Sequence, residues 1–195
     1  MRFPGSLNVD LNEITSTLVP FPRLHFLSTS LAPLVGNPNI SMINNNGGSH
    51  RLADTRLCER IVSQGFSNSN LLLDSDIRNG THLACGMLLR GPFAISDVNA
   101  IVQRQQRELK MVSWNSDGFK IGLCSSPPLY TDAAALCISN NCSVKVPLTE
   151  SYSRFLRLYR ARAHVHHYLE YIPADEFQHA AEAVSNLINQ YNLDE

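Results

Sequence analysis

The chain has 195 residues, of which 44% are hydrophobic and 17% charged, and its formal net charge is −1 at pH 7. This composition predicts a packed core, and the lack of a basic excess argues against a dedicated nucleic-acid binder. No apolar run approaches the roughly 20 residues that span a bilayer, and the first residues lack the apolar core of a secretory signal. The five cysteines include no Cys-x-x-Cys pair, which is typical of buried thiols in a reducing cytosol.

The first predicted element is a short helix over residues 10–18, which ends before Pro20 because proline disfavours helical geometry in the residue ahead of it. Its apolar positions recur at helical spacing and are Leu11, Ile14 and Leu18. The opposite face carries Asp10, Glu13 and Thr17. Asp10 with Glu13 also fits a capping box, in which Asn8 is a rival N-cap. The two carboxylates therefore have alternative roles, in helix capping or as groups offered to another molecule.

Strands are predicted wherever a short apolar or alternating run is bounded by turn residues. They cover residues 24–28, 81–90, 119–124 and 134–139. In the third run, Phe119, Ile121 and Leu123 alternate with Lys120, Gly122 and Cys124, so the two sets lie on opposite faces of the strand. Residues 111–114 are expected to be extended and residues 115–118 to form a turn.

Two helices are predicted between these strands. The first covers residues 52–64, with Leu52, Leu57 and Ile61 inward. The second begins at Ser96 as N-cap and has as its inner face Val98, Ile101, Val102 and Leu109. Residues 35–50 are rich in Asn and Gly and predict a loop.

After residue 142 the sequence becomes purely helical in pattern. Pro147 suits the first turn of a helix, and residues 174–192 form the clearest amphipathic helix of the chain. The stripe of that last helix is Phe177, Ala180, Ala181, Val184, Leu187, Ile188 and Tyr191. We therefore predict an α/β domain, of sheet-and-helix α+β type, over residues 1–142, and a C-terminal helical hairpin over 143–195.

The residues that commonly carry chemistry form no recognisable catalytic set. No glycine-rich phosphate loop is present, so the chain shows no nucleotide cradle of its own. His164, His166 and His167 suggest a metal site. On a helix, however, His164 and His167 would share one face while His166 points elsewhere, so a third convergent ligand is missing and we expect no metal site. The arginines 154, 157 and 160 are interpreted as a solvated face, which acids of the following helix, Asp175, Glu176 and Glu182, could offset.

Several motifs in order along the chain resemble the tubulin family. The opening segment carries Arg2-Phe-Pro-Gly5, Leu7-Asn8-x-Asp10-Leu11 and Leu18-Val-Pro-Phe-Pro-Arg23-Leu-His-Phe26. Further matches are Arg90-Gly91, Trp114, Gly118-Phe-Lys120, Pro127-Pro128 and His167-Tyr168. Residues 5–14, 112–115, 123–125 and 164–169 are most similar to the epsilon branch of that family. The resemblance extends from residue 1 to about residue 192.

The resemblance implies that this chain is the C-terminal half of a longer protein, with Met1 either an internal residue or the start of a truncated gene product. The missing N-terminal half would bind GTP with magnesium, and this part alone would bind neither. Residues 1–18 would form a longitudinal contact loop that docks on the GTP of the next subunit. Glu13, which matches a glutamate in alpha-tubulin and a lysine in beta-tubulin, would activate the water that attacks the γ-phosphate. Asp10 would support the loop and the metal-bound water, and Asn8 and Leu11 would line the nucleotide face.

The same resemblance implies a structural constituent of the microtubule cytoskeleton, in the cytoplasm at centrosomes, centrioles or basal bodies. Its partners would be other tubulin subunits and centriolar or microtubule-associated proteins, with no nucleic acid and no membrane. Enzymatic activity is expected only from the assembled full-length protein. Two departures from the family are the Asn-rich segment 32–50, which lacks the usual lateral-contact residues, and the end at Leu193-Asp-Glu195 without a long acidic tail.

Two alternatives remain open. In the first, the chain is a non-catalytic tubulin-like interaction module in centriole assembly, and Asp10 and Glu13 only cap their helix. In the second, the chain is a metalloenzyme that uses the histidine cluster at residues 164–167.

Overall fold

A computed structural model of the chain describes residues 10–33, 50–116, 118–129 and 131–192, without the side chains of residues 50–57. The strands are β1 (Leu27–Ala32), β2 (His82–Arg90), β3 (Phe119–Cys124) and β4 (Ala134–Asn141). The helices are α1 (Leu11–Leu18), α2 (His50–Gly65), α3 (Ile95–Glu108), α4 (Lys145–Arg160), α5 (Val165–Tyr168) and α6 (Ala174–Tyr191). The predicted class, a sheet-and-helix α/β part followed by helices, is confirmed.

The four strands form one mixed sheet in the order β1-β4-β2-β3. β2 pairs parallel with β3, and the other two pairs are antiparallel. Residues 82–87 of β2 are all buried, as expected of a central strand that is covered on both faces. At the middle of this strand, Gly86 lies opposite Lys120 of β3 and Ile138 of β4.

One face of the sheet carries the main core. α2 and α3 pack there, and their inward residues include Ile61, Val62, Val98, Ile101 and Val102. The sheet contributes buried side chains at alternate positions, which are Cys85, Met87, Leu89, Leu123, Ala135 and Cys137. The predicted inner face of α3 is therefore confirmed, and so is the inward position of Ile61. The side chains of Leu52 and Leu57 lie outside the described residues, as does the predicted loop 35–50, apart from the first helical residue.

The opposite face carries α1 and one end of α6. Leu18 is 1% exposed and approaches Gly86, where an added Cβ would come within 3.2 Å of its Cδ1. Close approach of the helix to the sheet thus depends on glycine at this position. A second apolar cluster joins Leu24, Leu83, Val112 and Tyr191, and attaches the end of α6 to the sheet.

The C-terminal helices are less deeply packed than the sheet. Phe155 stacks on Tyr159 within α4, with ring centroids 5.7 Å apart, and Tyr159 in turn stacks on Phe177 of α6 at 5.6 Å. In α6 the described buried residue is Tyr191, whereas most of the predicted stripe is half-buried and Ala180 is exposed. The division between domains at residue 142 stays a prediction.

Several element boundaries differ from the predictions. The first strand begins at Leu27 rather than residue 24, because the Leu24 N–H bonds Phe21 O and its carbonyl accepts from the Asn140 side chain. These groups are therefore used in a turn instead of a strand ladder. The N-cap of α3 is Ala94 without a side-chain cap, whereas Ser96 lies inside the first turn.

Residues 111–114 are extended only in part. Met111 forms an isolated bridge with His82, and the chain then enters a single 3-10 turn at Ser113–Asn115. Cys124 is half-buried rather than buried, whereas Cys58, Cys85, Cys137 and Cys142 are buried thiols.

Candidate functional site

The first turn of α1 presents the predicted carboxylates at the surface. Asp10 is the N-cap, and its carboxylate accepts a hydrogen bond of 2.7 Å from the Leu11 N–H. The Glu13 carboxylate is directed to Lys120 of β3, with Oε2 3.3 Å from Nζ. A capping box requires Glu at this position to reach back to the N-cap backbone. Asp10 therefore caps the helix as predicted, but Glu13 forms a tertiary ion pair.

The surroundings of the first turn are open. Leu11 is 64% exposed, and of the three apolar positions of α1 it is Leu18 that is buried. The side chain of Glu13 is 51% exposed and that of Lys120 is 35% exposed. Asn8, the fourth predicted site residue, lies outside the described residues. The structure thus brings Asp10, Leu11 and Glu13 together on one accessible turn.

The other end of α1 is fixed to the sheet. The side-chain amide of Asn140 donates to the Leu18 carbonyl at 2.9 Å and to the Leu24 carbonyl at 2.6 Å. These bonds satisfy a carbonyl at the helix C-terminus that has no intrahelical partner. An eight-residue helix is marginal alone, so its position depends on such tertiary contacts. Together with Leu18 on Gly86, they hold α1 across β2 while its first turn reaches β3.

Lys120 is the site residue that was missing from the sequence-based set. Its strand alternation was predicted correctly, since Phe119, Ile121 and Leu123 pack toward the core with α2 and α3. Lys120 lies opposite Gly86 across the parallel pair, and Gly86 faces α1. Lys120 could have been found from the sequence because it is a single cation on the strand face opposite the core. Such a charge requires either an anionic neighbour or contact with solvent.

An aromatic pair borders the turn after α1. Phe21 and Trp114 form an edge-to-face contact with ring centroids 5.5 Å apart, and both side chains are about half exposed. Exposed aromatic pairs of this kind supply large rigid contact area and are enriched at protein interfaces.

The histidine cluster differs from its predicted helical arrangement. His164 has a left-handed conformation with φ of 62°, and the short helix α5 begins only after it. The closest rings are those of His166 and His167, at 3.9 Å, whereas the rings of His164 and His167 are 6.2 Å apart. Within the described part of the chain, no group of three or more His, Cys, Asp or Glu side chains is placed to hold a metal.

The arginine face of α4 is exposed as predicted, but its described ion pair is local. Arg154 pairs with Glu150 one turn earlier in the same helix, rather than with an acid of α6. Glu182 of α6 instead accepts a hydrogen bond from Gln178 at 3.0 Å.

A buried polar pair lies inside the sheet, away from α1. His82 Nε2 lies 2.8 Å from the Ile77 carbonyl oxygen, and His82 Nδ1 lies 3.3 Å from Cys85 Sγ. Burial lowers the pKa of His82 to about 4, opposed by the hydrogen bond to Ile77, so the ring is neutral. Burial also raises the pKa of the Cys85 thiol. Because the thiol keeps its proton, this pair satisfies its own polar groups and acts as a structural element.

Known proteins share sequence similarity with this chain over nearly its whole length. The family profile described as "Tubulin C-terminal domain" matches residues 22–152. The chain belongs to the tubulin family. The epsilon chains of Mus musculus and Homo sapiens are each 39% identical over 193 residues, which is 98% of this chain and 38% of theirs. The alpha chain of Pneumocystis carinii is 34% identical over 202 residues, covering 98% of this chain and 42% of that one.

The chain therefore spans about two fifths of the length of these tubulin relatives. Among them, identity is higher to the epsilon chains than to the alpha chain, in agreement with the sequence resemblance. The matched profile covers the sheet, α2, α3 and the first half of α4. In the described ranges no helix is both long and apolar enough to cross a bilayer.

Proposed function

We propose that this chain is the C-terminal part of an epsilon-type tubulin and supplies Glu13 in trans to the GTP of a neighbouring subunit. The observation that carries the proposal is the Glu13 carboxylate, which is half exposed on the first turn of α1 and is held there by Lys120. A buried carboxylate would have no access to another molecule, whereas this one leaves an oxygen available. Family membership supplies the nucleotide on the partner, since this chain shows no phosphate loop.

In the proposed reaction, Glu13 orients the water that attacks the γ-phosphate. Phosphoryl transfer to water depends chiefly on positioning the nucleophile and on stabilising charge, and a carboxylate can accept a proton or a hydrogen bond from that water. Asp10 keeps the first turn intact by capping it, and its second oxygen can accept a hydrogen bond from a bound water. Leu11 is exposed beside them and would contact the nucleotide, together with Asn8. GTP and its magnesium would be bound by the partner, not by this part of the chain.

The proposed setting is the microtubule cytoskeleton of the cytoplasm, at centrioles or basal bodies. It is supported by the similarity to proteins named tubulin epsilon chain. The proposed partners are other tubulin subunits in longitudinal contact and centriolar or microtubule-associated proteins. The exposed Phe21–Trp114 pair beside α1 supports a protein partner on this side.

The test is single-turnover phosphate release from GTP-loaded alpha/beta-tubulin dimers as the concentration of this chain is raised. We expect the wild-type chain to accelerate release, and Glu13→Gln to reduce that acceleration by about 100-fold or more, the range for loss of a general base. Glu170→Gln is the matched control, because Glu170 is an exposed acid in the turn between α5 and α6. No acceleration by the wild-type chain, or equal acceleration by Glu13→Gln, would contradict the proposal.

A second candidate function is a non-catalytic interaction module. The observation in its favour is that Asp10 does cap α1 and that Glu13 has a structural partner in Lys120. This function predicts that the Glu13→Gln variant binds tubulin dimers as the wild type does and does not change the rate of phosphate release. The substitution should lower the free energy of unfolding by about 1 kcal/mol or less.

A further inference from the structure

We propose that Lys120 is a positioning residue for Glu13, which fixes the direction of its carboxylate and compensates its charge at the partner's γ-phosphate. The proposal rests on the trans-acting role proposed above for Glu13. The observation behind it is the ion pair between the first turn of α1 and the sheet, with 3.3 Å between Lys120 Nζ and Glu13 Oε2.

Lys120 is mounted on a more rigid element than Glu13. β3 is tied along its length to β2 by parallel pairing, from Phe119 to Cys124. By contrast, residues 10–13 at the start of α1 are all exposed. The contacts through Leu18 and Asn140 hold only the far end of the helix. Terminal turns of short helices fray, so a side-chain contact from the sheet restrains the turn that carries the carboxylate.

The ion pair with Lys120 involves one of the two carboxylate oxygens of Glu13. Lys120 Nζ lies 3.3 Å from Oε2 of Glu13, whose side chain is 51% exposed, and in the proposal Oε1 is the oxygen that orients the water molecule. A carboxylate that is fixed through one oxygen presents the second in a defined direction. Misplacement by about 1 Å is enough to slow a positioned reaction substantially.

The positive charge of Lys120 also compensates the negative charge of the first turn of α1. Asp10 and Glu13 bring two carboxylates to one turn, and a nucleotide phosphate beside them would meet like charges. An ammonium group within 4 Å of Glu13 offsets one of them, and its 35% exposure keeps it close to the surface where the phosphate would lie.

The experiment repeats the phosphate-release assay with GTP-loaded alpha/beta-tubulin dimers and two variants of Lys120. Lys120→Met keeps the stem but removes the charge, and we expect the rate at saturating chain to fall about fivefold, the upper range for a partly exposed ion pair. The half-saturating concentration should stay within about twofold, since the pair restrains the reacting group rather than the interface. Lys120→Arg should retain most of the rate, and Lys145→Met, at the start of α4, should equal the wild type.

Two further readouts distinguish a positioning role of Lys120 from a purely structural one. In a Glu13→Gln background, Lys120→Met should have no further effect, because the two residues act as a unit. The saturated rate of the wild type should fall as salt rises from about 0.05 to about 0.5 M, whereas that of Lys120→Met should not, because salt screens the pair. The salt series on the wild type and the Lys120→Arg variant remain informative if Lys120→Met does not fold.

The outcomes distinguish the two proposals. If Glu13→Gln abolishes the acceleration but Lys120→Met matches the wild type, the role of Lys120 is wrong and the proposed function stands. If Lys120→Met changes only the half-saturating concentration, or if the wild-type rate at saturating chain is independent of salt, Lys120 does not position Glu13. If Glu13→Gln has no effect, the proposed function itself fails.

Discussion

The helices α3 and α6 show how similar sequence patterns lead to different burial. Both have an apolar stripe at helical spacing, and both were predicted from it. In α3 the stripe is buried, since Val98 is 1% exposed and Ile101 and Val102 are nearly as well covered. In α6, Tyr191 is fully buried, whereas Val184 and Leu187 are half-buried. Periodicity identifies the apolar face of a helix, but the sheet, or its absence, determines how far that face is buried.

The difference predicts an uneven distribution of stability. The sheet region contains a continuous core from α2 and α3 to Leu123. The C-terminal helices are joined to it through the cluster around Tyr191 and to each other through stacked rings. Regions with fewer buried apolar contacts open at lower free energy, so α4 and α6 should exchange their amide hydrogens faster than β2.

The largest expected effect is the loss of stability when a leucine of the sheet core is truncated, compared with truncation of a leucine in the C-terminal helices. Leu89→Ala removes a side chain that is 1% exposed in the sheet core, and should lower the free energy of unfolding by about 2–5 kcal/mol. Leu158→Ala truncates a residue of α4 that is 54% exposed, and should change it by about 0.5 kcal/mol or less. Urea denaturation of both variants measures the difference. Equal losses would show that the C-terminal helices are as tightly packed as the sheet.

The second prediction concerns His82, whose ring is fully buried in the sheet region. Its pKa is lowered to about 4 from 6.5 by burial, so between these values the unfolded chain binds a proton that the folded chain does not. Stability from this group is complete above about pH 6.5 and is lost as the pH falls toward about 4. At about 1.4 kcal/mol per unit, the total is about 3 kcal/mol.

The measurement compares urea unfolding at about pH 7.5 and about pH 5 in the wild type and in His82→Gln. We expect the wild type to lose about 2 kcal/mol more than the variant between these conditions, from the 1.5 units below the unfolded pKa. His167→Gln is the control for loss of a histidine outside the sheet, because His167 is exposed in the C-terminal region. If His82→Gln and the wild type lose stability in parallel, the ring is not kept neutral by the fold.

The sequence predicted best where local pattern and tertiary environment agree. β3 was correct to the residue because its alternation of Phe119, Ile121 and Leu123 with Lys120 matches a sheet with one face on the core. Leu24 was wrongly placed in a strand because its apolar side chain is buried in either conformation. The conformation of Leu24 is instead determined by the side-chain amide of Asn140, 116 residues away in the sequence, which donates a hydrogen bond to the Leu24 carbonyl.

The candidate site was predictable in part for the same reason. Asp10 as N-cap follows from local sequence. The contact of Glu13 with Lys120 required the parallel pairing of β2 with β3 and the approach of α1 over Gly86, which no local pattern contains. A capping box and a tertiary ion pair look alike in sequence, since both need only a Glu at the third helical position.

The smallest expected effect tests the attachment between the two regions. The Tyr191 hydroxyl at the end of α6 accepts a hydrogen bond of 3.0 Å from the Phe26 N–H, which lies just before β1. Tyr191→Phe keeps the ring in its cluster with Leu24 and Leu83 but leaves that N–H without its acceptor, so the free energy of unfolding should fall by about 1 kcal/mol. The amide of Phe26 should exchange faster in the variant, as measured by hydrogen exchange with NMR detection. Tyr171→Phe is the matched control, because Tyr171 is 82% exposed and should leave both quantities unchanged. If the Phe26 amide exchanges at the same rate in Tyr191→Phe and in the wild type, the hydroxyl does not hold α6 against the sheet region, and the apolar cluster alone accounts for the attachment.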